Sequence, residues 1–130
     1  MLTSSLFAGF KDSYHLVRAK VTETIANLTN YVIHALPVSN SFHYYFNMII
    51  KEDLVETTFK YLVAMATDSA PSVRCAAVHT LGVLSVFPSV TSNLKHTATI
   101  ADVLIFAFGD PNLSVRTQVA WSIGNQNNKY

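Results

Sequence analysis

Asp68-Ser69-Ala70-Pro71-Ser72-Val73-Arg74-Cys75-Ala76-Ala77-Val78-His79-Thr80-Leu81-Gly82 decides the fold of this chain. Its skeleton is Asp68-x4-Val73-Arg74-x2-Ala77-x3-Leu81, and the same skeleton occurs twice more. Upstream it reads Asp12-x4-Val17-Arg18-x2-Val21-x3-Ile25, and downstream Asp110-x4-Val115-Arg116-x2-Val119-x3-Ile123. The next residue is Ala26, Gly82 or Gly124. Self-similarity over tens of residues points to stacked units, because each unit leaves an apolar face that only its neighbour can cover.

Within each copy the aliphatic residues fall at helical spacing: Val17, Val21, Ile25 and Leu28, then Val73, Ala77, Leu81 and Leu84, then Val115, Val119 and Ile123. Each signature therefore belongs to the second helix of a pair. A first helix precedes it. Glu52 to Ala66 carries Val55, Phe59, Leu62 and Ala66 on one side, with Glu56 and Lys60 four apart in the favourable acid-first order on the other. Ser92 or Asn93 can cap a helix through Leu94, Ala98, Ala101, Ile105 and Phe108, and Leu2 to Phe10 supplies a short first partner. Asp68-Ser69-Ala70-Pro71 and Gly109-Asp110-Pro111-Asn112 interrupt the pattern inside the pairs. Leu36 to Ser41 and Phe87-Pro88-Ser89 mark the joints between pairs.

The expected units are residues 1–36, 42–86 and 89–125, in a single domain spanning 1–130. Asp68 and Asp110 are 42 residues apart, but Asp12 and Asp68 are 56 apart, a surplus of 14. The surplus lies between Asn30 and Ile50 and contains Phe42, Tyr44, Tyr45 and Phe46. Helix is expected there, since a lone strand would have no pairing partner in a helical stack.

Half of the residues are hydrophobic and 13% are charged. That is lean in charge for a globular domain, and is expected of a segment cut from a longer array. The net charge is +1 with no block of like charge, so nothing marks a nucleic-acid or anionic-membrane partner. Cys75 is the single cysteine, so no disulfide forms within the chain, which suits a reducing compartment. Met1 to Phe10 lacks the basic start of a secretory signal. The longest apolar run, Val103 to Gly109, is far short of the about 20 residues that span a bilayer.

The periodic aspartate, valine and arginine, followed by small or aliphatic residues at helical spacing, resemble the HEAT-repeat family. The resemblance implies an all-α, right-handed α-solenoid (ARM/HEAT-like superhelix) of about three helical hairpins, intracellular and cytoplasmic or nuclear, with no cofactor and no catalytic activity. It also implies that Asp12, Asp68 and Asp110 pair with Arg18, Arg74 and Arg116 as a structural ladder between neighbouring units. A semi-buried arginine needs such acceptors, because an orphaned partner is costly.

Catalysis finds no support in the residues. His15, His34, His43, His79 and His96 are dispersed, so no two share a helical face for a metal. Neither a nucleophile elbow nor a glycine-rich phosphate loop occurs. Other proteins are the expected partners, with no small-molecule substrate, nucleic acid or membrane. The candidate contact residues are Trp121, Phe42, Tyr44, Tyr45, His79 and Gln118, aromatics being frequent in binding hot spots. Lys20, Glu23, Asn27, Cys75 and Ser122, off the apolar stripes, are expected on the concave side or in solvent. The alternatives are a karyopherin-like cargo carrier, which would need acidic inner helices, and a nucleic-acid-binding helical array.

Overall fold

A computed structural model describes residues 2–35, 52–86 and 88–127. Its helices are α1 (Leu2–Gly9), α2 (His15–Ala35), α3 (Glu52–Met65), α4 (Pro71–Leu84), α5 (Pro88–Thr91), α6 (Leu94–Phe108) and α7 (Leu113–Asn127), with no strand among the described residues. The fold is an α-solenoid of stacked helical hairpins: α1 with α2, α3 with α4, and α6 with α7. The second helices α2, α4 and α7 lie side by side, with α4 in the middle. Phe42, Tyr44, Tyr45 and Phe46 fall outside the described residues.

Local chemistry explains where the helices begin. Pro71 opens α4, where its missing N–H costs nothing and its fixed φ suits a first turn. Ala70 precedes it with extended backbone and no capping side chain. Instead, Asp68 Oδ1 accepts the Ala70 N–H at 2.9 Å. Asp12 Oδ1 accepts the Tyr14 N–H and Asp110 Oδ1 the Asn112 N–H, both at 2.8 Å, so all three intra-pair turns are closed alike. Asn93 caps α6 by accepting from the Lys95 N–H at 3.0 Å.

Being the middle layer, α4 is covered on several sides. Val73, Ala77, Val78 and Leu81 are fully buried. Each such branched side chain withdrawn from water contributes about 1.5–3 kcal/mol before conformational entropy is set against it. Tyr61 of α3 ties the first helices together, with its ring stacked 5.0 Å from Phe10 and 5.3 Å from Phe7 in nearly parallel planes.

The register of burial departs from the sequence pattern in informative ways. On α3, Phe59, Leu62 and Ala66 are buried as their stripe requires. On α6 the expected stripe is the uncovered one: Leu94, Ala98, Ala101, Ile105 and Phe108 are exposed, while His96, Ile100, Leu104 and Ala107 face the core. This helix is apolar on two sides, and among the described residues only one meets a neighbour. Val17 is 37% exposed although Val73 and Val115 at the same register are fully buried, and Ile123 is 41% exposed where Ile25 and Leu81 are buried. These two residues lie on opposite outer faces of the three-layer stack. Glu56 makes no ion pair with Lys60. Its carboxylate lies 3.3 Å from Nε2 of the buried His96, which packs on the Phe59 ring at 4.6 Å. The Phe87-Pro88-Ser89 joint continues as the one-turn helix α5, whose Val90 plugs the core.

Candidate functional site

Two features span all three layers, and both grow from the repeated signature. The first joins the intra-pair turns. Arg18 donates from Nε and Nη2 to the two carboxylate oxygens of Asp68 at 2.8 and 2.9 Å. Its Nη1 donates backward to the Asp12 carbonyl at 2.8 Å and the Ser13 carbonyl at 3.1 Å. One layer on, Arg74 repeats every contact: Nε and Nη2 to Asp110 at 2.8 and 3.0 Å, and Nη1 to the carbonyls of Asp68 and Ser69 at 2.9 and 3.1 Å. Each fork is bidentate, the geometry in which arginine and carboxylate interact most strongly. The side chains are 7–14% exposed.

The electrostatic consequences follow from that geometry. Hydrogen bonds from Arg18 hold the Asp68 carboxyl below the ordinary aspartate range, and Arg74 does the same to Asp110. Reciprocally, Arg18 and Arg74 are held above the ordinary arginine value. Arg116 makes the backward bond alone, Nη1 to the Asp110 carbonyl, and among the described residues no carboxylate meets its fork. Asp12 likewise receives no arginine from another layer. Thus Asp12, Arg18, Asp68, Arg74, Asp110 and Arg116 lie along one line at one end of the helices, joined twice across layers. They converge on no common cleft.

A parallel set of contacts follows the same register but is not part of the arginine–aspartate pattern. Thr24, Thr80 and Ser122 hold the same register in the three copies, and all carry a hydroxyl. Thr80 Oγ1 donates to the Thr22 carbonyl of α2 at 3.0 Å, sharing its proton with the Ala76 carbonyl of its own helix at 2.8 Å. Ser122 Oγ donates to the Val78 carbonyl of α4 at 3.3 Å. Ser122 therefore does not face the concave side; it is fully buried against α4. Gly82 makes the close approach possible, since a Cβ there would lie 2.6 Å from Ser122 Oγ and 2.7 Å from Ser122 Cβ.

The second feature is an open groove of about 920 Å³ crossing α2, α4 and α7. Its lining includes Lys20 and Glu23 from α2, Cys75 and His79 from α4, and Gln118 from α7. Lys20 Nζ and Glu23 are paired at 2.7 Å, so the groove carries no net field from them. Gln118 Nε2 lies 3.1 Å from His79 Nδ1, and with the amide donating the ring is neutral. Burial pushes the His79 pKa down, while the Glu23 carboxylate pulls weakly the other way. Trp121, 44% exposed, packs its ring 4.7 Å from that of His79 at the groove's edge. The fold thus gathers three expected contact residues, Trp121, His79 and Gln118; Phe42, Tyr44 and Tyr45 lie outside the described residues.

Burial raises the Cys75 thiol pKa, which disfavours the reactive thiolate. Among the described residues no three His, Cys, Asp or Glu side chains are placed to share a metal ion, and no helix is long and apolar enough to cross a membrane. A family model for the HEAT repeat matches residues 59–96, from the middle of α3 through α4 into α6. The match lies on the central hairpin of a stack whose layers repeat one another's bonds.

Proposed function

We propose that this chain is a non-catalytic protein-interaction scaffold segment that binds an extended stretch of another protein across α2, α4 and α7. The observation behind this reading is the continuous groove over three layers, with Trp121, His79 and Gln118 grouped at one side. An exposed aromatic beside convergent polar groups is the usual composition of a binding hot spot. The six ladder residues are proposed to be structural, because each bond they make is to a neighbouring layer's turn or to their own. The proposed units remain 1–36, 42–86 and 89–125. The run Ala70 to Pro88, with Leu113 to Arg116 and Ala120 to Asn125, is similar to HEAT repeat-containing protein 6, and we carry that likeness forward only as a proposed relationship.

Charge weighs against the two alternatives. Among the described residues Glu23 is the only acidic one lining the groove, and its partner Lys20 neutralises it, which offers little to a basic cargo signal or to a phosphate backbone. The test is selection of a displayed random-peptide library on the chain. Enriched peptides should lose binding to Gln118→Arg and Ala76→Arg and keep it with Ala98→Arg, on the exposed side of α6 away from the groove. Equal binding to all three variants would reject the groove. Salt-dependent binding of DNA or RNA would favour the nucleic-acid alternative instead.

A further inference from the structure

Among the described residues, the two outer faces of the stack carry unmatched halves of one docking register. At every internal joint three things meet. An arginine fork grips the next layer's turn aspartate, that layer's hydroxyl reaches a carbonyl of the preceding helix, and an alanine or glycine leaves it room. Between α2 and α4 these are Arg18 with Asp68, Thr80 with the Thr22 carbonyl, and Ala26. Between α4 and α7 they are Arg74 with Asp110, Ser122 with the Val78 carbonyl, and Gly82.

The outer face of α7 presents the receiving half again. Arg116 offers the same fork, held by the same backward bond. Ala120 is at the register of Thr22 and Val78 but exposed, and a Cβ on Gly124 would meet nothing within 4 Å. Beside them, Ile105, Phe108 and Ile123 line an apolar groove of about 490 Å³. The outer face of α2 presents the inserting half. Asp12 sits in the same closed turn as Asp68 and Asp110, Thr24 is at the hydroxyl register, and Val17 is uncovered where its equivalents are fully buried.

We propose that the α7 face is a docking site for the α2 face of a second copy of this chain. Arg116 of one copy grips Asp12 of the next, and Thr24 seats on the Ala120 carbonyl beside Gly124. Charge complementarity and repeated geometry argue for this occupant, since the chain itself carries the matching half and uses that register at two internal joints. A contact between two different faces is head-to-tail and does not close on itself, so association continues past the dimer.

The test is sedimentation velocity of the whole chain over a series from micromolar to near-millimolar. The wild type should climb in mean mass beyond a dimer, and less steeply in high salt. Gly124→Leu fills the notch of α7 and Thr24→Arg blocks the α2 face; both changes lie on outer faces, and thermal melting verifies that each variant folds. Each alone should remain monomeric, and an equimolar mixture should give a two-chain complex that grows no further. A wild type monomeric throughout the series, variants that associate like the wild type, or a folded pair that fails to combine would each overturn the proposal. None of these outcomes bears on peptide binding in the concave groove.

Discussion

Alanine at Gly82 and alanine at Gly124 are the same chemical change at the same register of adjacent layers, and their effects are expected to have opposite signs. Inside a helix, alanine is favoured over glycine by about 0.8–1 kcal/mol, partly through the unfolded chain. At Gly124 nothing opposes that gain, because the added Cβ meets open space. Gly124 sits three residues before the end of α7, where the helix preference is weaker, so a smaller gain of about 0.4 kcal/mol is the better expectation. At Gly82 the new Cβ would stand 2.7 Å from Ser122 Cβ and 3.4 Å from Ser122 Cα. A rotamer change can move the hydroxyl but not the Cβ, so α7 must shift. Overpacking of this kind costs about 1–3 kcal/mol, which outweighs the helix preference and leaves a net loss of up to about 2 kcal/mol. Urea unfolding followed by circular dichroism, at protein concentrations low enough to keep the chain monomeric, measures both. The double variant Gly82→Ala/Ser122→Gly should recover part of the loss, giving a favourable coupling. If Gly82→Ala is as stable as the wild type, α4 and α7 do not approach as described, and the argument for the Gly124 notch falls with it.

Arg74→Ala is expected to lower stability by about 1–3 kcal/mol, because it leaves the Asp110 carboxylate and two turn carbonyls short of a donor. Arg116→Ala, which loses only the backward bond, should shift the melting temperature by clearly less; equal shifts would refute the ladder's role. Acid should weaken the stack with a defined sign. Asp68 and Asp110 titrate lower when folded than when unfolded, so their contribution is complete above about pH 4 and is lost as pH falls through the depressed folded values. Substituting Asp110→Asn should flatten that decline in a pH series of urea midpoints. His79 should titrate below an ordinary histidine by NMR, and Glu23→Gln should lower it further by removing the one charge that raises it; an upward move would contradict the described contact. Cys75 should react with a thiol reagent more slowly than in the urea-unfolded chain.

The signature located every second helix in the sequence because aspartate, arginine and aliphatic residues there serve both the turn and the inter-layer contact. The start of α6 at Asn93 and of α4 at Pro71 were legible for the same local reason. Which side of α6 is covered was not. Leu94, Ile105 and Phe108 are as apolar as Ile100 and Leu104, and periodicity cannot say which of two apolar faces has a neighbour. Ser122 was misplaced because a lone serine reads as polar surface. Only comparison with Thr24 and Thr80 reveals that a hydroxyl recurs there, and only the distance to the Val78 carbonyl gives it a purpose. The groove required coordinates, since Lys20, His79 and Gln118 come from different layers and carry no common spacing.

The arginine–aspartate bonds between layers lie beside the intra-pair turns, at the starts of α2, α4 and α7. Toward Ala35, Leu84 and Asn127, where these helices finish, no ion pair joins one second helix to another among the described residues, and the Glu56–His96 contact there links first helices, α3 to α6. A row of second helices pinned along one margin fans the way a book opens. The pages stay registered at the spine, and displacement grows toward the free edge. Curvature of the groove can therefore be adjusted by fanning the far ends of the second helices, while the arginine forks keep their grip.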